Sequence, residues 1–393
     1  MKLLIHHHAV AFKDSNGIWI QSFIGNWINN LAYHFEEVGL LVHISKNKKN
    51  VQDTCINNKK VILHSLGAPG IMWDKIQRTF RIRAVCWKLK NNYDFLLIRG
   101  MTPRQHIIWN NVEVTTSRKY FLLVGTPKSS YSLKSISSFA DIFNYYMEQY
   151  RQFELRNMLK NGSLTVNSPT LIKESDEILN EKAIFIPTNS ISKNDFTPFN
   201  VKEIKPNCIS LLFVSRVIKE KGVIEAIESV RLLKEKGIDC KLDIVGPIDK
   251  LSFKKYLNDL IQDLKIKADV NFHGFVNFGE NLLNIYRSAD IFILPTYWGE
   301  GFPHVIWEAA ASCCPIISSP AGGIPALIQD RHHALLIPEK TTELLVDSII
   351  ELINNKSLRS KIVTNAYNLA KEYTVESCAK KLADVILTEK EIH

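Results

Sequence analysis

Ile291-Phe292-Ile293-Leu294-Pro295-Thr296-Tyr297-Trp298-Gly299-Glu300-Gly301-Phe302-Pro303-His304-Val305-Ile306-Trp307-Glu308 decides how this chain is read. The apolar residues Ile291 to Leu294 predict a buried strand, which Pro295 stops. Gly299 and Gly301 free the backbone for a tight loop, since glycine tolerates positive φ. Pro303 suits the first position of a helix, and the pattern carries that helix through Cys313, before Pro315. The first N–H groups of such a helix lack partners and its dipole is positive there. The turn can therefore receive a phosphate or a sugar hydroxyl. Glu300 in the loop and Glu308, about one turn into the helix, bracket it with carboxylates that accept hydrogen bonds from diols.

Working outward, strand and helix alternate through both halves of the chain, which predicts α/β architecture with parallel sheets covered by helices. In the second half the strands are Ile209–Val214, Cys240–Val245, Val270–His273, Pro315–Ser318 and Ala334–Ile337. Helices are expected at Val223–Lys236, Phe253–Leu264, Gly279–Ala289, Thr342–Asn354, Ser357–Glu372 and about Val375–Lys390. The first half opens with a strand, Leu3–Phe12, and a turn at Asp14-Ser15-Asn16-Gly17. A helix over Gln21–Val38, ended by Gly39, and a strand at Leu40–Ile44 follow. Further strands are Val61–His64, Phe95–Ile98, Tyr120–Val124, Leu164–Asn167 and Ala183–Ile186, with a long helix at Phe139–Lys160. Pro187 to Asn207, with prolines and little periodicity, reads as a linker. The expected domains are therefore 1–190 and 208–374, with 191–207 between them.

The chain has 393 residues, room for two or three domains, and 46% apolar composition, ordinary for proteins with packed cores. No apolar run approaches the roughly 20 residues that span a bilayer. Met1 to Ile5 is followed by His6-His7-His8, which reads as a first strand and not as a signal peptide. The cysteines form no C-x-x-C pair, so neither a zinc site nor a disulfide framework is indicated, and a reducing cytosol fits them best. His6 and His8 share one face of their strand, but no further ligand at a metal-site spacing accompanies them.

Charge is lopsided. The net is +9, and residues 1–200 hold about 25 Lys+Arg against 15 Asp+Glu. Much of that excess lies in Trp73 to Lys90, where Trp73, Ile76, Phe80, Ala84 and Trp87 recur at helical spacing. Lys75, Arg78, Arg81, Lys88 and Lys90 lie mostly off that stripe. The segment fits a helix packed on a sheet with a solvated basic face, or one that docks on anionic lipid headgroups. Charge alone does not make a nucleic-acid binder, and no binding module accompanies it. No G-x-G-x-x-G follows a strand, which argues against a Rossmann oxidoreductase.

Glu300-Gly301-Phe302-Pro303 with Glu308, followed by Ala321-Gly322-Gly323-Ile324-Pro325, resembles the Glu-x7-Glu region of the GT-B glycosyltransferases of family 4. Phe213-Val214-Ser215-Arg216-Val217-Ile218-Lys219-Glu220-Lys221-Gly222 is similar to that family's phosphate-binding Arg/Lys motif. Ile186 to Pro198 resembles its hinge. The resemblance covers nearly all of the C-terminal half and implies two Rossmann-like domains with parallel sheets facing across a cleft. It implies a nucleotide-sugar donor, with Arg216 and Lys221 on the diphosphate and Glu308 on the ribose. Glu300, with the backbone at Gly301, Phe302, Pro303 and Val305, would hold the transferred sugar, and Gly274-Phe275-Val276 would lie against the base. Gly17 would let the first loop approach the phosphates. Fixed cations stabilise a departing diphosphate more than the bound donor, which is what catalysis needs.

No Asp-x-Asp is present to clamp a metal on the diphosphate, in line with the metal-independent, retaining chemistry the resemblance implies. Many relatives carry a histidine at an N-terminal-domain strand end; here the two candidate ends are Arg99-Gly100 and Gly125-Thr126. Arg99 is a candidate contact for a donor or acceptor phosphate or a buried ion pair, and His106, on a helix after Pro103, is a candidate stand-in for the histidine or a packing residue. The implied reaction is glycosyl transfer to a glycan or lipid-linked acceptor bound by the basic first domain, in bacterial surface-polysaccharide assembly at the cytoplasmic face of a membrane. The last helix would cross back onto the first domain. A nucleotide-sugar epimerase of related fold, or a nucleotide-sugar-binding protein without catalysis, fits the same motifs.

Overall fold

Thirteen residues at the amino terminus form one strand, β1 (Lys2–Asp14), which reverses at Asp14–Gly17 into antiparallel β2 (Gly17–Ile20). There follow α1 (Ser22–Ala32), β3 (Glu37–Ile44), β4 (Thr54–Ile56), β5 (Val61–Ser65), α2 (Lys75–Lys88), β6 (Phe95–Arg99) and α3 (Gln105–Asn111). Then come β7 (Arg118–Leu123), α4 (Phe139–Leu159), β8 (Ser163–Val166), α5 (Thr170–Leu179) and β9 (Ala183–Phe185). The second series is β10 (Ile209–Val214), α6 (Val223–Glu235), β11 (Cys240–Val245), α7 (Leu251–Asp263), β12 (Val270–Gly274), α8 (Glu280–Ser288) and β13 (Ile291–Leu294). It ends with α9 (His304–Ala311), β14 (Ile316–Ser318), α10 (Ile324–Leu327), β15 (Leu335–Leu336), α11 (Thr342–Asn354), α12 (Lys356–Glu372) and α13 (Val375–Leu387). This computed structural model describes residues 1–49, 52–69, 75–101, 104–124, 139–179, 182–204, 208–297, 301–339 and 341–388.

The chain divides into two units: Met1–Ser190 with Val375–His393, and Ile191–Thr374. In unit 1 the parallel strands run β5-β3-β1-β6-β7-β8-β9, and β2 and β4 extend the end of β1 antiparallel. These strands are apolar runs because both faces are covered. Leu3, Ile5, Phe95 and Leu97 face α1 and α13, while Leu4, Leu96 and Ile98 face Ile82 of α2, Ile108 of α3 and Leu155 of α4. Unit 2 is a six-stranded parallel sheet, β12-β11-β10-β13-β14-β15, around a single core. In both sheets the strand order reverses beside the first strand, between β1 and β6 and between β10 and β13. Ligands of doubly wound sheets sit at the carboxyl ends of the strands at that point.

Several expectations are corrected. The helix expected over Gln21–Val38 stops at Ala32, and Gly39 lies inside β3. Register explains this: Lys2 pairs with Glu37, and Phe35 and Val38 go into the core. A Cβ on Gly39 would stand 2.8 Å from Leu4 Cδ1, so the glycine is a packing requirement and not a helix stop. No expectation covered β2, β4, α5 or α10. Residues 191–207, expected as a linker, belong with unit 2; Ile191 and Ile204 enter its core, and Tyr367 Oη donates to Thr197 O at 2.8 Å. On α2 the stripe expected to bury is the outward one. Phe80 and Trp87 are 65% and 76% exposed, and Ile82, Cys86 and Leu89 are buried instead. Trp73 lies outside the described residues.

Two glycines hold the strand ends of unit 2 together. Gly222 (φ +80) and Gly246 (φ +144) adopt backbone that side chains avoid, and a Cβ on them would overlap Pro295 O and Ser215 O. Gly246→Ala should therefore lower unfolding stability by about 1–3 kcal/mol or more, read as a lower urea midpoint.

Candidate functional site

The loops leaving β10 and β13 in unit 2 lie against each other. Lys219–Lys221 forms a 3-10 turn closed by Gly222. Tyr297 N–H donates to Glu220 O at 3.2 Å, and Tyr297 Oη donates to Lys219 O at 2.9 Å. The neighbouring loop thus occupies carbonyls of the turn and holds its backbone in place. Lys221 is buried (4% exposed), whereas Arg216 is exposed. Gly246 N–H donates to Gly274 O at 2.8 Å, which ties the end of β12 to the same edge. Gly274 (φ +70) has open space where a Cβ would be, Phe275 is half exposed, and Val276 packs on the core.

Helix α9 begins at His304, with Pro303 as its N-cap in extended conformation, one position earlier than expected. Proline gives no side-chain cap, so the first turn keeps donors for a ligand. Gly301 O accepts from Gly323 N at 3.3 Å, which brings the Ala321–Pro325 turn against this loop. Phe302 stacks on Trp307 and Trp307 on Tyr373, with ring centroids 4.5 and 5.1 Å apart; Val305 is half-buried. Each such pair contributes about 0.5–1.5 kcal/mol beyond burial and fixes the angle of the short helix. Trp298, Gly299 and Glu300 lie outside the described residues.

Glu308 is the buried acid of this site, 6% exposed. Its Oε2 accepts from Tyr286 Oη at 2.9 Å. Burial raises its pKa from 4.5 to about 7; the tyrosine hydroxyl opposes that rise and Asp195 adds to it. The group is thus poised to change charge near neutrality.

In unit 1, Arg99 ends β6 and is buried. Its Nη1 lies 2.6 Å from His7 Nε2, and its guanidinium stands 4.9 and 5.7 Å from the ring centroids of Phe23 and Trp27 of α1. Burial lowers its pKa to about 10, so it remains a cation at neutral pH. Among the described residues no carboxylate pairs with it, so the buried ion pair weighed for Arg99 is absent there. His106 pairs through Nδ1 with Glu154 Oε1 at 2.7 Å, linking α3 to α4, which is a packing role. Gly17 opens β2, and the space a Cβ would need is filled by Cys55 Sγ and Ile56 O. The hairpin therefore accounts for that glycine without a ligand. Gly125-Thr126 and Pro103 lie outside the described residues.

Among its described residues, unit 1 carries a depression at each edge of its sheet. The larger, about 740 Å³, is lined by Asn91, Trp109, Glu113, Lys119 and Asn161, at the amino-terminal edge of the sheet, away from where ligands of such sheets bind. The smaller, about 190 Å³, lies at the carboxyl edge and gathers His6, His8, His43, Arg78 and Arg104. The histidine run is visible in the sequence. His43, Arg78 and Arg104 were missed as partners, and the only available signal was that His43 ends a strand.

A carboxyl whose pKa is raised on folding stabilises the protein fully below its unfolded pKa, and that contribution is lost as pH rises through the folded value. For Glu308 the loss spans pH 4.5 to 7 and is on the order of 3 kcal/mol. Glu308→Gln should accordingly gain stability relative to the parent by about that amount between pH 5 and pH 8, measured by urea unfolding at both. An equal difference at both pH values would show that Glu308 does not titrate as described.

Residues 196–369 match the family model described as Glycosyl transferases group 1. Uncharacterized glycosyltransferase MJ1607 of Methanocaldococcus jannaschii is 30% identical over 44% of this chain and 44% of its own length. Amylovoran biosynthesis glycosyltransferase AmsK of Erwinia amylovora is 28% identical over 45% of this chain and 44% of its own. The chain thus matches less than half the length of either relative. Among solved structures, Anabaena HepE in complex with UDP superposes with a TM-score of 0.70 at 13% identity, over 98% of this chain and 99% of HepE, and HepE has also been solved with UDP-glucose. Residues 196–369 are thus similar to the group 1 glycosyl transferases, and over its full length the chain has the GT-B fold.

Proposed function

We propose that the chain is a retaining glycosyltransferase that moves a sugar from a nucleotide-diphosphate sugar to a hydroxyl of a glycan or lipid-linked acceptor. One observation carries this reading: at the strand-order reversal of unit 2, the Lys219–Lys221 turn, the uncapped start of α9 and the buried acid Glu308 belong to one edge of one sheet. Arg216 and Lys221 hold the diphosphate. Glu308 accepts from the ribose hydroxyls. Glu300, with the backbone at Gly301 and Phe302, holds the transferred sugar, and Phe275 covers the base. The acceptor hydroxyl attacks on the face from which the diphosphate leaves, which retains the anomeric configuration, and the departing phosphate takes the proton. Fixed cations serve here in place of a metal. The AmsK similarity supports a place in surface-polysaccharide assembly.

Thermal shift against UDP, GDP, ADP and their sugars tests the donor class. One nucleotide should stabilise the protein equally with and without EDTA, and Lys221→Ala should weaken its binding about ten- to hundredfold. No shift with any nucleotide would overturn the reading.

The acceptor side is held at an anionic membrane surface by α2. Phe80, Ala84 and Trp87 form an exposed apolar stripe on that helix, with Arg81, Arg83 and Lys88 beside it also exposed. Such a helix lies in the headgroup region, where each basic residue adds about 1 kcal/mol. Co-sedimentation should show binding to vesicles with phosphatidylglycerol and little to pure phosphatidylcholine, and Trp87→Ala should weaken it roughly tenfold. Equal binding to both lipids would rule out this surface. No helix among the described residues is long and apolar enough to cross a membrane.

A further inference from the structure

The cavity of about 190 Å³ in unit 1 has an unusual lining: His6 and His8 of β1, His43 at the end of β3, Arg78 of α2 and Arg104 before α3, with three aliphatic side chains. No carboxylate lines it among the described residues. Arg104 forms no ion pair there, and the charge of Arg78 acts on it, so two guanidiniums approach one concavity. Guanidiniums converging on a partly desolvated hollow focus positive potential there and concentrate anions. The place is also the one a ligand would take, since β1 and β6 flank the strand-order reversal and the space over Gly100 opens toward His8 Nδ1.

The histidines narrow the chemistry. His6 Nδ1 is 2.9 Å from Leu41 O, and His43 Nδ1 is 3.2 Å from Gly67 O. A carbonyl can only accept, so each Nδ1 carries the hydrogen, and in the neutral ring Nε2 is left as an acceptor. Burial keeps these rings neutral at pH 7, His6 down to about 4. Two guanidiniums for charged oxygens, together with bare ring nitrogens for a P–OH or a neighbouring hydroxyl, match a phosphate ester. They match a fully ionised carboxylate or sulfate less well, because neither brings a hydrogen. We propose that this cavity binds a phosphoryl group, and that the acceptor is held by it. The second clause rests on the transfer reading; the first does not. Arg78 and Ile82 line the cavity from the same helix whose other face carries Phe80 and Trp87. A phosphate in the cavity would thus lie about one helix diameter, roughly 10 Å, from a membrane touching that face.

The test is calorimetric titration of the full chain with inorganic phosphate and with farnesyl phosphate, against sodium chloride at equal ionic strength. It is done in the Lys221→Ala background, which removes phosphate binding at the nucleotide site. Saturable binding of one phosphate is expected. Arg104→Gln and His43→Gln should each weaken it at least tenfold while UDP binding by the otherwise unaltered chain stays intact, which also certifies folding. Farnesyl phosphate at least tenfold tighter than inorganic phosphate assigns the site to a lipid-linked ester, and equal affinities assign it to a soluble one. Absence of saturable phosphate binding, or binding unmoved by Arg104→Gln, overturns the proposal. Loss of UDP binding in the parent would instead overturn the donor reading and leave this one standing.

Discussion

A parallel sheet whose strand order reverses beside its first strand cannot close over the carboxyl ends at that point. The crossovers on either side run right-handed and carry their helices to opposite faces, so the two loops leaving the central strands part there. In unit 2 the gap is bounded by Gly222 and Gly246, whose backbone lets the ends of β10, β11, β12 and β13 touch. In unit 1 it is bounded by the histidine run of β1 and by Arg99.

The two edges differ in the charges they bury. Unit 2 hides an acid, Glu308, whose burial outweighs the help of Tyr286 and leaves it half-ionised near neutrality. Unit 1 buries the cation Arg99 among aromatic rings, with the half-buried Arg78 and Arg104 beside neutral histidines. A buried charge costs folding free energy. At the carboxyl edges of the sheets such costs stand where an incoming ligand can offset them.

Much of the fold was legible because strands covered on both faces are plain apolar runs. Ile209–Val214, Cys240–Val245 and Ile291–Leu294 have the bounds their hydropathy implies. The failures have specific causes. Tyr33 to Val38 continues a helical rhythm, but pairing of Glu37 with Lys2 in β1 takes it into a strand. Helix α2 carries two stripes at helical spacing, and the one with the larger rings is outside; only the packing of Ile82 and Cys86 on the sheet decides between them. The loop motifs of unit 2 could be read because their residues are close in sequence. The cavity of unit 1 could not, because His6, His43, Arg78 and Arg104 meet only after three strands and two helices are in place.

Helix α13 belongs to unit 1 although all of unit 2 precedes it in the chain. Val375, Ala379, Leu382 and Ile386 complete the core over α1. During synthesis from the amino terminus, unit 2 emerges whole and can fold while the sheet of unit 1, made first, still exposes the apolar face that α13 will cover. Of the two units, the one begun first is therefore finished later, and its exposed face depends on whatever shields nascent chains until α13 leaves the ribosome.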